Sequence, residues 1–304
     1  MTAAVEVSGL DKVVAVGFWG RRRQLLDSVS FTVAAQHTVG FVGVNGAGKS
    51  TTLKHLIGGS RPTRGTVRVF GADPRAPTVR KRFGYMPEQP WLPPTLTPRE
   101  MMRLHATLSG MSPSSPRIDA LLDAVGLAER ATERVGTFSK GMQTRLTLAL
   151  ALLPEPELLI LDEPMSGLDP VGRQLVRRIL REQAQQGRTI LFSSHVLSDV
   201  EALCSDVIVI NAGKIVYSGS ASAALGEATG GWTVRVGSAT TAPQGEGIRE
   251  ARREGDTWLL SVNAATGEEA ARRGTATGGT LLSLEPERPS LENRLLEIIG
   301  KSSS

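Results

Sequence analysis

The sequence predicts an α/β protein on a mainly parallel sheet, followed by a smaller α+β segment. Three observations predict this. Apolar runs at residues 158–162 and 189–194 flank a helical stretch, Val171–Gln186, the alternation a parallel sheet requires. A glycine-rich segment, Gly43–Ser50, joins an apolar run, Val39–Val44, to a helix candidate, Thr51–Ile57. After about Ser220 the composition turns to Ala, Gly, Thr and Glu with weaker periodicity, which marks a second unit.

Along the chain, Val5–Val7, Val29–Val33 and Val39–Val44 read as strands, and Gly58–Gly71 as a turn and a strand. From Trp91 to Phe138, Pro93, Pro94 and Pro98 stiffen a loop by locking φ, and helical spacing follows at Arg99–Leu108 and Ile118–Val125. Val207–Ile210 and Lys214–Val216 read as a hairpin around Asn211–Gly213. In the last segment Trp232–Val236 and Thr257–Val262 are strand candidates, Glu268–Arg273 and Ser290–Ile299 helical ones, and Lys301–Ser304 a polar tail. No internal repeat or heptad run is present.

The 304 residues suffice for one large domain and a small one, and 40% hydrophobic residues supply a sizeable core. With aromatics at only 4%, that core is expected to be aliphatic. The 35 basic residues against 30 acidic ones give +5, without a dense block beyond Arg21–Arg23, so the excess reads as a solvated surface. The single cysteine, Cys204, excludes an intramolecular disulfide and fits a reducing compartment. The opening MTAAVEVSGL lacks a basic region followed by an apolar run, so no signal peptide is expected. The longest apolar run, Leu148–Leu153, is far short of the ~20 residues that cross a bilayer, so a membrane role is expected to come through a partner.

Gly43-Val44-Asn45-Gly46-Ala47-Gly48-Lys49-Ser50 fits the phosphate-loop pattern G-x-x-x-x-G-K-[ST]. Small glycines let backbone N–H groups curl around phosphate oxygens, and the helix candidate Thr51–Ile57 adds the positive end of its dipole. Lys49 is expected on the β/γ phosphates and the Ser50 hydroxyl on Mg²⁺. The apolar strand Leu158–Leu161 ends in Asp162, a Mg²⁺ ligand at the carboxyl edge of the sheet, and Glu163 follows as the base that polarises a water for in-line attack.

Ser139-Lys140-Gly141-Met142-Gln143, preceded by Phe138, resembles the signature of ABC transporter ATPases, in a variant common among exporters. Phe138, Ser139, Lys140, Gly141 and Met142 stand for the usual Leu, Ser, Gly, Gly and Gln. By the same resemblance Gln89 matches the Q-loop glutamine, which contacts Mg²⁺ and water and links to the membrane subunit. Ser166-Gly167-Leu168-Asp169 matches the D-loop, and His195 the switch histidine that meets the γ-phosphate. Trp19, or failing that Phe18, matches the aromatic that stacks on adenine. The resemblance covers about residues 5–220, and Pro289–Glu292 resembles the accessory C-terminal domain of drug, polysaccharide and antibiotic exporter ATPases.

What the resemblance implies is a RecA-like core with an antiparallel β subdomain and a helical subdomain. Residues 1–220 form the ATP-binding domain, with the helical subdomain at about 91–155, and residues 221–304 a small accessory domain. ATP and Mg²⁺ are the expected cofactors. The expected partners are a second ATP-binding subunit, equal or different, which closes the site with Ser139 and Gly141, and transmembrane permease subunits, which hold the chain at the cytoplasmic face of the membrane. No nucleic acid is expected. Two-cassette translation factors and chromosome ATPases of the family are disfavoured by the single phosphate loop and by the absence of a coiled coil between Lys49 and Ser139. A GTPase or metabolic kinase is disfavoured by the signature and by His195, and a silent regulatory cassette by the presence of Glu163 and His195.

Overall fold

The computed structural model describes residues 3–17, 21–112, 116–225, 231–237, 243–245, 247–276 and 279–286. The Ser290–Ile299 helix, Pro289–Glu292 and the Lys301–Ser304 tail lie outside the described residues, as do Phe18 and Trp19. The described chain forms two compact units that meet in sequence at Ala221 and Ser222.

The first unit opens with β1 (Ala3–Val16) and β2 (Arg21–Ala34), paired antiparallel, then β3 (Thr38–Val42) and α1 (Lys49–Leu56). β4 (Arg64–Val69) pairs with the free edge of β1, giving an antiparallel sheet in the order β2-β1-β4. β1 runs well beyond Val5–Val7 because register shifts at Val7/Leu10 and beyond re-aim its side chains without ending the ladder. After α2 (Pro77–Arg80) comes β5 (Phe83–Met86), a strand that the pattern reading did not pick out.

The helical region follows. α3 (Pro98–Leu108) starts at a capping box, in which Thr97 Oγ1 accepts from the Glu100 N–H at 3.3 Å and Glu100 Oε2 accepts from the Thr97 N–H at 2.8 Å. Pro98 at the first helical position gives up an N–H that has no partner there anyway. α4 (Arg117–Ala124) and α5 (Lys140–Leu152) complete the region, and α5 is buried along nearly all of Thr144–Leu152.

The remaining elements are β6 (Leu158–Leu161), α6 (Pro170–Gln185), β7 (Thr189–Ser194), α7 (Leu197–Leu203), β8 (Asp206–Asn211), β9 (Lys214–Ser220) and the short α8 (Ala221–Leu225). They build a six-stranded sheet in the order β5-β6-β7-β3-β8-β9, parallel except for the last pair. β3, β6 and β7 are buried at every residue, as a sheet covered on both faces demands. The β8–β9 hairpin turns at Ala212 and Gly213, both at positive φ (45° and 81°), the twist that closes a two-residue loop. One core cluster joins both sheets to α1 through Val5, Leu10, Val29, Phe31, Phe41, Leu53, Ile160 and Ile208. Cys204 ends α7, and burial pushes its thiol well above the ordinary range.

The second unit is a four-stranded antiparallel sheet, β10 (Gly231–Gly237), β11 (Ile248–Glu254), β12 (Thr257–Asn263) and β13 (Thr280–Pro286), in the order β11-β12-β10-β13. α9 (Gly267–Thr275) is capped by Thr266 and packs Ala270 into a core with Val234, Val236, Leu260 and Val262. The sequence pattern missed β11 because IREARRE alternates weakly, with most of its side chains exposed.

At Gly84 a helix lies close against the sheet: a Cβ added there would sit 2.1 Å from the backbone oxygen of Ala151 in α5. Two main chains cannot separate by a rotamer change, so the helix has to move. Gly84→Ala is expected to lower the unfolding free energy by ~1–3 kcal/mol, the usual range for overpacking, measured by urea denaturation against the unchanged chain.

Candidate functional site

Gly46 and Gly48 take φ of 81° and 114°, a backbone that side chains strain to adopt. Those two residues let the loop after β3 curl, so that α1 starts at Lys49 with Gly48 as its N-cap. The loop opens on a cavity of about 500 Å³, lined by Arg23, Leu25, Val44–Gly46, Gly48–Thr51, Glu88, Glu163, Ser166 and His195.

Lys49 is almost fully buried, and its Nζ donates to the Gly43 carbonyl at 2.6 Å and lies 3.4 Å from Glu163 Oε1. The other oxygen of Glu163 lies 2.9 Å from His195 Nδ1. A carboxylate only accepts, so Nδ1 carries the proton of that bond, and Nε2 is the ring's free end. Glu163 therefore links the loop's cation to the imidazole at the end of β7, from a side chain only 8% exposed. Its backbone sits at φ 51°, outside the range of the strand before it, so the chain turns sharply just past β6.

Asp162 is buried at the carboxyl end of β6; its N–H bonds the Met86 carbonyl at 2.8 Å, and its Oδ1 accepts from Ser193 Oγ at 2.7 Å. Burial, and after it the Asp162 charge, push the Tyr85 hydroxyl up to about 12, so that phenol stays neutral.

The structure thus brings Val44, Asn45, Gly46, Gly48, Lys49, Ser50, Thr51, Glu163 and His195 to one cavity. Gly43 and Ala47 lie behind it, Gly43 as the acceptor for Lys49. Gln89 is exposed and does not line the cavity; its neighbour Glu88 does. Asp169 is exposed and caps α6, accepting from the Gly172 N–H at 2.8 Å. Ser139 caps α5, accepting from the Met142 N–H at 3.3 Å, and Gly141 lies against Leu168 and Gly167 instead of the phosphate loop.

The ABC transporter family profile matches residues 26–166. An ABC transporter ATP-binding protein of Nostoc sp. is 41% identical over 229 residues, which are 74% of this chain and 68% of the relative. The chain belongs to the ABC transporter ATP-binding family. The Nod factor export ATP-binding protein I of Paraburkholderia xenovorans is 39% identical over 68% of this chain and 70% of its own length. A solved ATP-binding subunit of an ABC transporter is 33% identical and superposes with a TM-score of 0.64, over 73% of this chain and 91% of its own.

As a member of that family the ABC chain is an ATP-binding subunit with the family's ATPase fold. Its oxygen donors suit a magnesium ion that arrives with a nucleotide. Mg²⁺ is commonly held by one or two carboxylates plus phosphate oxygens. Ser50 lines the cavity, whereas Asp162 is buried outside its lining, with Oδ1 bonded to Ser193.

Sequence reasoning missed Arg23, Leu25 and Glu88 in the cavity lining of this ABC chain, and Ser193 beneath it. Arg23 and Leu25 come from β2, some twenty residues before the loop, and carry no pattern of their own. Ser193 has a local signal only in hindsight, as a polar pair (Ser193-Ser194) ending an apolar strand.

Proposed function

We propose that this chain hydrolyses ATP to drive an ABC exporter, working as a pair of ATP-binding subunits bound to permease subunits at the cytoplasmic face of a membrane. The observation that carries the reading is Glu163, held between Lys49 Nζ at 3.4 Å and His195 Nδ1 at 2.9 Å over the phosphate loop. In it, residues 1–220 are the ATP-binding domain, with the helical subdomain at about 91–155, and residues 221–304 an accessory domain.

The loop amides of Gly46, Gly48 and Lys49 bind the phosphates, and Lys49 exchanges the Gly43 carbonyl for the β/γ oxygens. Ser50, Asp162 and Gln89 are the residues that would hold Mg²⁺, which would supply positive charge against the transferring phosphoryl group. Glu163 accepts the proton of the attacking water. His195 orients that carboxylate through Nδ1–H and turns Nε2 toward the γ-phosphate. Adenine stacking falls to Trp19 or Phe18.

Ser139 and Gly141 act in the neighbouring copy. They do not line their own chain's cavity, yet they stand at the start of a capped thirteen-residue helix, whose free N–H groups suit a phosphate. Gly167 and Leu168, just before Asp169, lie beside that helix, where the loop can relay closure between the two sites. Exposed apolar side chains around the helical region, Trp91 at 84% and Leu108 at 78%, suit contact with a permease. Among the described residues no helix is long and apolar enough to cross a membrane. The relative named for Nod factor export supports the outward direction.

A site shared between two copies makes activity depend on assembly. In a dilution series of the purified chain with MgATP, turnover per molecule is expected to fall as dilution favours monomers. A turnover that stays constant into the fully monomeric range, checked by light scattering, overturns the shared-site reading.

A further inference from the structure

Asp162 and Glu163 are adjacent in sequence but must do different things, one as a metal ligand and one as a base. Something has to stop the peptide between them from rotating. Ser193, fully buried in β7, is placed to do this: its Oγ accepts from the Glu163 N–H at 2.8 Å and donates to Asp162 Oδ1 at 2.7 Å. A hydroxyl has one proton, and Asp162 takes it, so a lone pair is left facing Glu163.

We propose that Ser193 is a positioning residue that locks the Asp162–Glu163 pair by bridging the carboxylate of the first to the backbone of the second; this rests on the assignment of those two residues above. Two consequences follow from the bridge. Oδ1 of Asp162 accepts from Ser193, so the carboxylate is held in one orientation, the one in which it would meet Mg²⁺. The Glu163 N–H is tied down in the left-handed conformation, φ 51°, that swings its side chain away from the line of β6 toward Lys49 and His195. The parallel register of β6 and β7, with Leu161 opposite Phe192, brings Ser193 level with the pair. His195 lies two residues further on, in the bend just past β7, and its Nδ1 is 2.9 Å from Glu163 Oε2. One strand end thus delivers both the hydroxyl that fixes the backbone of Glu163 and the imidazole that meets its carboxylate.

The test uses the full chain, at a concentration where it turns over. Ser193→Ala removes the bridge and is expected to lower kcat about 10–100-fold while the Kd for ATP without magnesium stays within about twofold. Mn²⁺ titrated into the ATP-loaded protein and followed by electron paramagnetic resonance is expected to bind several-fold more weakly. Ser193→Thr, which keeps the hydroxyl, restores both quantities. Ile190→Val on the same strand, also fully buried, controls for simple loosening and leaves kcat and Mn²⁺ affinity unchanged.

The proposal is overturned if Ser193→Ala keeps kcat and Mn²⁺ affinity within twofold, or if Ile190→Val lowers them as much. Should the alanine variant not fold, Ser193→Cys, similar in volume with only a weak donor, takes its place under the same criteria. Failure of the underlying assignment looks different: the unsubstituted chain itself then shows no MgATP turnover, or Glu163→Gln turns over normally.

Discussion

Replacing Glu163 by Gln leaves a protein that binds MgATP but hydrolyses it about 10²–10⁴-fold more slowly, the span that a positioned general base contributes. Gln keeps the size and the planar end group, so the left-handed backbone at residue 163 and its bond to Ser193 persist. What disappears is the negative charge that Lys49 and His195 both face. An amide oxygen accepts a hydrogen bond but does not take a proton from water near neutral pH, and the loss falls on kcat. Losing a charge that opposes phosphate also tightens nucleotide binding, so closed pairs are expected to accumulate with ATP. Single-turnover hydrolysis and size-exclusion chromatography with and without ATP check both parts. Normal turnover of the Gln variant removes Glu163 from the role of base.

Arg177→Ala is expected to destabilise the first unit by ~3–5 kcal/mol, the usual result of stripping the partner from a buried charge. Asp199, on α7, is only 1% exposed, and its Oδ1 accepts from both Nε (2.9 Å) and Nη2 of Arg177 on α6. Without the guanidinium the carboxylate stays buried and unpaired, and α7 loses its main polar tie to α6. For a unit of this size Tm falls by roughly 6–20 °C, measured by calorimetry. Replacing the pair together, Arg177→Met with Asp199→Leu, is expected to recover most of the loss, because no charge is then stranded. If the single variant melts within 2 °C of the parent, Asp199 finds solvent or another donor, and the ion pair is not what holds α7 to α6. Because α7 begins two residues after His195, the single variant also loosens the imidazole and lowers turnover.

Much of the site was legible in the sequence because its chemistry is local. A loop of eight residues with glycines where φ must be positive, a lysine and then a hydroxyl cannot be spaced otherwise and still wrap a phosphate. Asp162 and Glu163 were legible for the same reason, as two carboxylates at the end of a four-residue apolar strand. β3, β6 and β7 were visible by their apolar stretches, Val39–Val42, Leu158–Leu161 and Ile190–Phe192, since a strand covered on both faces has little polar side to interrupt it. β5 and β11 were not, because four residues with a glycine and seven dominated by charge do not display a period.

By itself, then, the sequence determined the parallel core and the phosphate-loop pattern with its lysine and, by spacing, the carboxylate pair after β6, while His195 stood out only through the resemblance to ABC ATPases. Only the tertiary structure decided that Lys49 and His195 converge on opposite oxygens of Glu163, that Glu88 and not Gln89 faces the cavity, and that Ser193 ties the two carboxylate residues together. Those contacts join residues that lie far apart in sequence or turn on which way a loop faces. They depend on strand order and register, which the burial of a shared core selects and no single segment encodes.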